Sequence, residues 1–514
     1  MEGNKTNKKP IRWNVFIPCF LVVGGAAILG IVNNEWLTKV TKGIFSWSLN
    51  SFGWLYQVVA MVTLVVVALL AFSKTGNIRF GGKDAKAKYS FGSWFAMTLT
   101  GGIATGLITY GVNEVLIYFG NIYGELDGYG VKALSDEAAQ FAMGRSFYNW
   151  TFVPYAMYAL SGVVIAYMYF NRKKELSVSA SLIPLFGEGV TKGFWKALID
   201  VLSVLAIALG LGLALIGTGL SSAYSIKQGP IVWFVLTAII TATFTVASVT
   251  GIDKGIKWLA GLTSKIFYVL LIVLFLIGPT LYILNMANVG LGYWLDRFWT
   301  WGFDPGTVGG EALVTWWTMY DWAIWIAYAP LMGIFFAIIA YGRTVRQFLV
   351  INWILPASFG FVWFSVWGGT ALKWQTSGKA DIIATIQEEG AVAGIWEFLK
   401  HVPLGAVIIP VIIVALIAAF STTADTMSTT IAALCTKGAK HDEEPAIWQK
   451  IVWGVSIGLI ACIMVAFGGG EQGVDGVKYL AACGGFVVLT IFILQVVSAI
   501  KLFFLDKETK KDIM

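Results

Sequence analysis

Trp316-Trp-Thr-Met-Tyr-Asp-Trp-Ala-Ile-Trp-Ile-Ala-Tyr328 places a run of aromatic rings and one carboxylate inside a stretch, 314–340, that is otherwise apolar enough to cross a bilayer. Aromatic side chains normally collect at the two edges of a span, where their polar tips reach water. Here they sit at mid-depth, so the stretch predicts a buried helix with one ring-bearing face. The rest of the chain fits that setting: 57% of its 514 residues are hydrophobic and 13% charged, with a mean hydropathy of +0.75. A soluble domain carries about 25% charged residues, so the composition indicates an all-α polytopic membrane protein and excludes an ordinary soluble one.

Apolar runs of about 20 residues, the length that spans a bilayer as helix, fall at 13–32, 50–72, 93–119, 149–171, 198–221, 230–250, 264–287, 314–340, 347–371, 404–434, 449–468 and 479–503. Twelve helices are therefore predicted; barrel strands would be shorter and alternating. Roughly 26 of the 36 Lys and Arg fall on the side of the N-terminus once loops alternate, which makes that side cytoplasmic. Both tails, 1–12 and 504–514, are expected inside, around one integral domain in the cell (plasma) membrane. The +7 charge then reflects membrane topology and calls for no nucleic-acid partner. The first run is too long for a signal-peptide core and lacks a clear small-residue cleavage site, so it is read as helix one. Cys19, Cys435, Cys462 and Cys483 lie in or at the ends of spans with no paired spacing, which implies neither disulfides nor a metal site. Two further segments, Leu291 to Phe303 and Ile382 to Lys400, read as interfacial helices on the outer side.

Spans three to seven and eight to twelve form two sets of five. Five is odd, so a repeat of that length would be inverted, an arrangement that secondary transporters use around a midplane site. Span three also holds Gly101, Gly102, Ala104, Gly106 and Gly111. Such a cluster reads either as an unwound segment lining a cavity or as close helix packing through small residues.

At 100° per residue, Asp321, Trp325, Tyr328 and Met332 share an arc of about 60°, with Trp322 at its edge, and Trp150, Tyr155 and Tyr158 share one of about 140° on span four. Brought together, the two faces would form a box of rings. Each ring facing a desolvated cation contributes about 0.5 to 2 kcal/mol, enough for several to offset the modest hydration of a trimethylammonium group. The bland alternative is that these faces are packing or lipid surface. Asp321 is an ionisable group within a span, a functional candidate that would attract a cation, steer it inward or bind a proton; a hydrogen bond to a neighbouring helix is its structural alternative.

Trp317-Thr-Met-Tyr-Asp-Trp-Ala-Ile-Trp325, Ala329-Pro330, Gly342-Arg-Thr-Val-Arg346, Gly111-Val-Asn-Glu114 and Thr422-Thr-Ala-Asp425 together resemble the betaine/carnitine/choline transporter family over nearly the whole chain. The resemblance implies twelve helices with two inverted five-helix repeats, spans 3–7 and 8–12, of the type shared with sodium-coupled amino-acid transporters. It also implies a homotrimer and a quaternary ammonium substrate held by Trp150, Tyr155, Tyr158 and Trp325, with Trp322 and Tyr328 on the path. The chain departs from the family pattern at Asp321, where an aromatic is usual, and at Ile324, where Trp is usual.

Coupling is read in two ways. Thr422 and Thr423 match the hydroxyl pair of sodium-coupled members, whose remaining ligands are backbone carbonyls of the glycine stretch, here around Ile103. Met332 matches a methionine of the sodium-independent carnitine exchanger, and Lys257 lies near the position of that protein's arginine. The surviving hydroxyl pair favours Na+ as coupling ion, with no other cofactor; the alternatives are a sodium-independent exchanger of carnitine-like compounds and a choline or methylamine carrier. The tail from Lys501 to Met514 is shorter than the charged extensions of osmotically regulated members, which points to constitutive uptake. An enzyme is not expected, because His401 and His441 fall in loops on opposite faces and no phosphate loop or nucleophile elbow is present. No filter sequence suggests a channel.

Overall fold

The computed structural model describes residues 10–102, 104–204, 210–306, 313–440, 442–467 and 471–513. Among them regular structure is helical, apart from isolated bridges pairing Ile11 with Thr436 and Arg79 with Thr344. In lipid this is the economical solution, since a helix satisfies its own backbone hydrogen bonds.

The helices are α1 (Trp13–Val32), α2 (Asn34–Phe72), α3 (Phe91–Gly102), α4 (Ala104–Gly120), α5 (Asp136–Trp150), α6 (Phe152–Phe170), α7 (Gly193–Val204), α8 (Gly210–Tyr224) and α9 (Pro230–Thr250). They continue as α10 (Ile252–Ile277), α11 (Thr280–Gly302), α12 (Val314–Ile338) and α13 (Val345–Thr376). The last are α14 (Ile382–Glu389), α15 (Gly394–Lys400), α16 (Gly405–Leu434), α17 (Ile447–Phe467), α18 (Glu471–Ile500) and α19 (Lys507–Ile513). Among the described residues ten helices are long and apolar enough to cross a membrane, or eleven when α3 and α4 are taken as one bent span. The count of twelve is not reached, because the expected fifth span, 198–221, falls on α7 and α8, which flank residues 205–209 outside the description.

Several boundaries differ from the sequence expectation. Span two begins at Asn34 rather than at 50, where the Asn33 side chain accepts from Trp36 N and starts the helix. Span four begins at Asp136, capped by Ser135, and α5 passes into α6 at Thr151, whose ψ of −115° breaks the regular helix. Span seven stops at Ile277, since Pro279 has no N–H to continue it, and the segment expected from 291 to 303 is the second half of α11. The expected helix 382–400 splits at Gly390, whose φ of +90° only glycine adopts without strain.

The span-three glycines fall in a bent span, and one of them is a packing site. The axes of the two halves, Phe91–Gly101 and Gly106–Gly120, differ by 58°. Gly111, by contrast, is a packing site, because a Cβ there would meet the Trp363 indole at 2.7 Å. That indole donates to the Leu107 carbonyl at 2.7 Å, a second bond to that oxygen that ties α13 to the first turn of α4.

Helices α6 and α12 form the centre of the molecule and pack through small residues. A Cβ on Gly333 would lie 2.5 Å from Ser161 Oγ and 2.9 Å from the Gly162 backbone nitrogen, so the two backbones are nearly in contact. The Gly342–Arg346 loop is a structural clasp. Arg346 donates to the Ala71 and Ser73 carbonyls at 2.9 and 3.0 Å, capping the C-terminus of α2, and the Arg343 guanidinium lies 4.2 Å from the centre of the Phe91 ring.

Candidate functional site

The ring-bearing faces of α6 and α12 meet. Tyr155 lies edge-on to Trp325, with ring centroids 4.9 Å apart at 74°, and Tyr158 lies 4.5 Å from it at 41°. All three are buried within the bundle. Tyr328, half-buried, is an electrostatic neighbour of Tyr158, and Met332 is fully buried one turn beyond it. The other candidates take different partners. Trp150 stacks on Tyr110 (4.9 Å, 28°) and lies 6.0 Å from Phe364. Trp322 packs against Tyr148 at 5.4 Å, and its indole N–H has no hydrogen-bond partner among the described residues.

Next to the three-ring cluster is a polar network that the sequence did not disclose. Glu114 is fully buried in α4 and accepts from Tyr118 Oη at 2.7 Å, Asn149 Nδ2 at 3.0 Å and Trp150 Nε1 at 2.5 Å. Thr318 donates to Asn149 Oδ1 at 2.9 Å, and Arg145 Nη2 donates to Thr318 at 2.7 Å. Arg145 is itself fully buried, 4.8 Å from the centre of the Trp301 ring and 5.4 Å from that of Tyr148. Its Nε and Nη1 make no hydrogen bond among the described residues. Asp321 is buried within electrostatic reach of Tyr118, and Arg145 acts on both Tyr118 and Glu114. Two carboxylates and one guanidinium therefore share this region. A lone Arg in a span was the available signal, but the expected boundary at 149 left Arg145 in a loop.

The network is covered by the loop between α4 and α5. Glu125 there accepts from Tyr123 N at 2.9 Å and from Trp317 Nε1 at 3.2 Å, and Trp317 meets Tyr118 edge-on at 5.2 Å. Burial pushes the Glu125 carboxyl up from 4.5 to about 7, outweighing these two donors, which favour the ionised form. A carboxyl raised in the folded state contributes stability that is complete below its ordinary value and is lost as pH rises through the folded one. Wild type is therefore expected to lose stability relative to Glu125→Gln between pH 4.5 and about 7, by on the order of 3 kcal/mol at full ionisation. Thermal unfolding of the two proteins side by side across that range checks this; parallel curves would refute it.

The candidate sodium ligands are placed only in part. Thr422 donates to the Ala418 carbonyl at 2.8 Å and Thr423 to Ala419 at 3.1 Å, so each hydroxyl proton is used within α16 while its oxygen can still accept or ligate. Ile103 lies outside the described residues. Asp425, at the end of the same motif, accepts from Ser248 and, at 3.3 Å, from Thr429; Lys450 donates to the Ser248 carbonyl at 3.1 Å and to Glu444 at 2.8 Å. Lys257 is exposed at the start of α10, near Asp253, which pairs with Lys88 at 2.9 Å.

The profile described as "BCCT, betaine/carnitine/choline family transporter" matches residues 14–508. An ectoine/hydroxyectoine transporter of Virgibacillus pantothenticus is 29% identical over 90% of this chain and 92% of its own length. A probable glycine betaine transporter of Desulfitobacterium hafniense is 29% identical over 89% of this chain and 88% of its own. An osmo-independent choline transporter of Acinetobacter baylyi is 29% identical over 88% and 86%. With the match running almost from end to end of an all-helical bundle, the chain belongs to the betaine/carnitine/choline family of membrane transporters.

Proposed function

We propose that this chain is a secondary active transporter importing a quaternary ammonium, betaine-like compound by alternating access, with Tyr155, Tyr158 and Trp325 as the rings that receive the cationic head. The observation that carries the reading is the contact of both tyrosines with one buried indole at the centre of the bundle. Several electron-rich faces on one point are what a methylated cation needs and what a strongly hydrated ammonium rewards less. The rings touch one another, so admitting a head group requires α6 and α12 to shift relative to each other, the kind of movement that two inverted five-helix repeats provide. Tyr328 and Met332 extend the same face, and Trp150 and Trp322 belong to the path around it. The basic loops support cytoplasmic termini, and family resemblance favours a homotrimer in the plasma membrane. Sodium coupling through Thr422, Thr423 and the backbone around Ile103 is supported by the free lone pairs of the two hydroxyls, and the exposed position of Lys257 weakens the sodium-independent alternative.

A second reading, a carrier of choline-type cations, is favoured by Asp321, a buried carboxylate one turn before Trp325 on α12. One uptake experiment in proteoliposomes, with glycine betaine and choline as substrates and with or without an inward sodium gradient, tests both. Sodium-stimulated betaine uptake is expected, and equal rates under both gradients would remove sodium. Asp321→Asn is expected to raise the KM for choline about ten-fold while leaving betaine within two-fold; unchanged choline kinetics would take Asp321 off the path.

A further inference from the structure

On the face where α6 and α18 end, those ends and the segment leading to α19 border an open cavity of about 730 Å³. Its wall is apolar, built from Met168, Val497, Ile500 and Leu505, and its rim carries Arg172, Lys174, Lys501 and Lys507. The charges on that rim are unevenly committed. Arg172 is bound by Asp506 and Glu508, and its Nη2 also donates to Thr509 at 2.9 Å. Lys174 pairs with Glu188. Lys501 and Lys507 make no ion pair or hydrogen bond among the described residues, so both acidic groups of the rim are spent on Arg172 and two ammonium groups remain. The apolar wall continues to the outside of the bundle at Val497, 46% exposed, and Leu505, 66% exposed. Phe194 and Trp195, both exposed on the same face, mark the headgroup level at which aromatic rings settle.

We infer that this cavity binds an anionic glycerophospholipid of the leaflet on the basic side, with an acyl chain along Val497, Ile500 and Leu505 and the phosphate between Lys501 and Lys507. The volume is that of a ligand pocket, and the surplus of positive charge at the mouth of an apolar slot selects an amphiphile of opposite sign. A soluble anion would use the lysines but leave the apolar wall uncovered, and a zwitterionic lipid would use the wall but gain little from the lysines. The site lies about 15 Å along α6 from Tyr158, well away from the rings, so it stands or falls independently of the substrate.

Native mass spectrometry of the purified full chain, titrated with phosphatidylglycerol, phosphatidylcholine or glycerol 3-phosphate, tests this. One phosphatidylglycerol per chain is expected to bind, with phosphatidylcholine at least ten-fold weaker and glycerol 3-phosphate unable to displace the lipid at millimolar concentration. Both Lys501 and Lys507 are exposed, so Lys501→Gln/Lys507→Gln should fold normally and lose about ten-fold or more in phosphatidylglycerol affinity, whereas Lys74→Gln/Lys86→Gln on the same face should not. Equal affinity of the first pair and wild type, equal binding of the two lipids, or displacement by glycerol 3-phosphate would each overturn the assignment.

Discussion

Trp325→Ala is expected to raise the KM for a quaternary ammonium substrate at least thirty-fold. The indole is the ring shared by both contacts, 4.9 Å from Tyr155 and 4.5 Å from Tyr158. Its removal takes away one cation-facing surface, worth up to about 2 kcal/mol when desolvated. It also removes two aromatic pairs, about 0.5 to 1.5 kcal/mol each, that orient the tyrosines. Part of that second loss appears as stability, because emptying a buried Trp site costs about 3 to 5 kcal/mol. Trp325→Phe separates the effects: it keeps an aromatic face and most of the volume, and a KM increase of only about five- to ten-fold is expected. Uptake kinetics corrected for the amount of folded protein measure both. An alanine variant with wild-type KM would show that the cation binds elsewhere.

The second large effect is on stability. Arg145→Gln should lower the unfolding temperature of the purified protein by several degrees, because it removes the guanidinium from a region holding the buried carboxylates of Glu114 and Asp321. Breaking a buried charge arrangement by removing one sign costs about 3 to 5 kcal/mol, most of it from the charge left behind. The amide also loses the rings of Trp301 and Tyr148, which lie 4.8 and 5.4 Å from the guanidinium. If the loss is electrostatic, adding Glu114→Gln to Arg145→Gln will recover part of it, since the amide removes the stranded charge even though it accepts at one oxygen where the carboxylate accepts at two. Two losses that simply add would show that Arg145 acts by packing alone.

What the sequence disclosed and what it withheld divide along physical lines. Hydropathy marked where the chain is greasy, and the positions of most spans follow from it. It failed where polar residues lie inside a helix. Asp136, Glu137 and Arg145 hid the first half of span four, and the polar residues between Asn34 and Leu49 hid the first half of span two. Helical periodicity grouped Trp325 with Tyr328 and Met332, and Tyr155 with Tyr158, because side chains on one face share an angle whatever lies opposite. It carries no information about which helix faces which. That Trp150 turns to Tyr110 and Glu114, and Trp322 to Tyr148, is settled by tertiary packing of α4, α5 and α12. The family motif containing Glu114 was visible as letters, while its role as acceptor for three donors required α4 and the end of α5 to be brought together.

The near-contact of Gly162 with Gly333 constrains how the two central helices can part. One turn past Tyr158 there is no side-chain layer to compress, so α6 and α12 can neither approach further nor slide freely at that level. They can swivel. The crossing acts as the rivet of a pair of scissors, and a small change of angle there spreads the blades progressively with distance. On the proposed reading, room for a head group would be gained chiefly at the end of the helices remote from Gly333, and a bulkier residue at Gly333, driven against Ser161 and Gly162, would fix the angle.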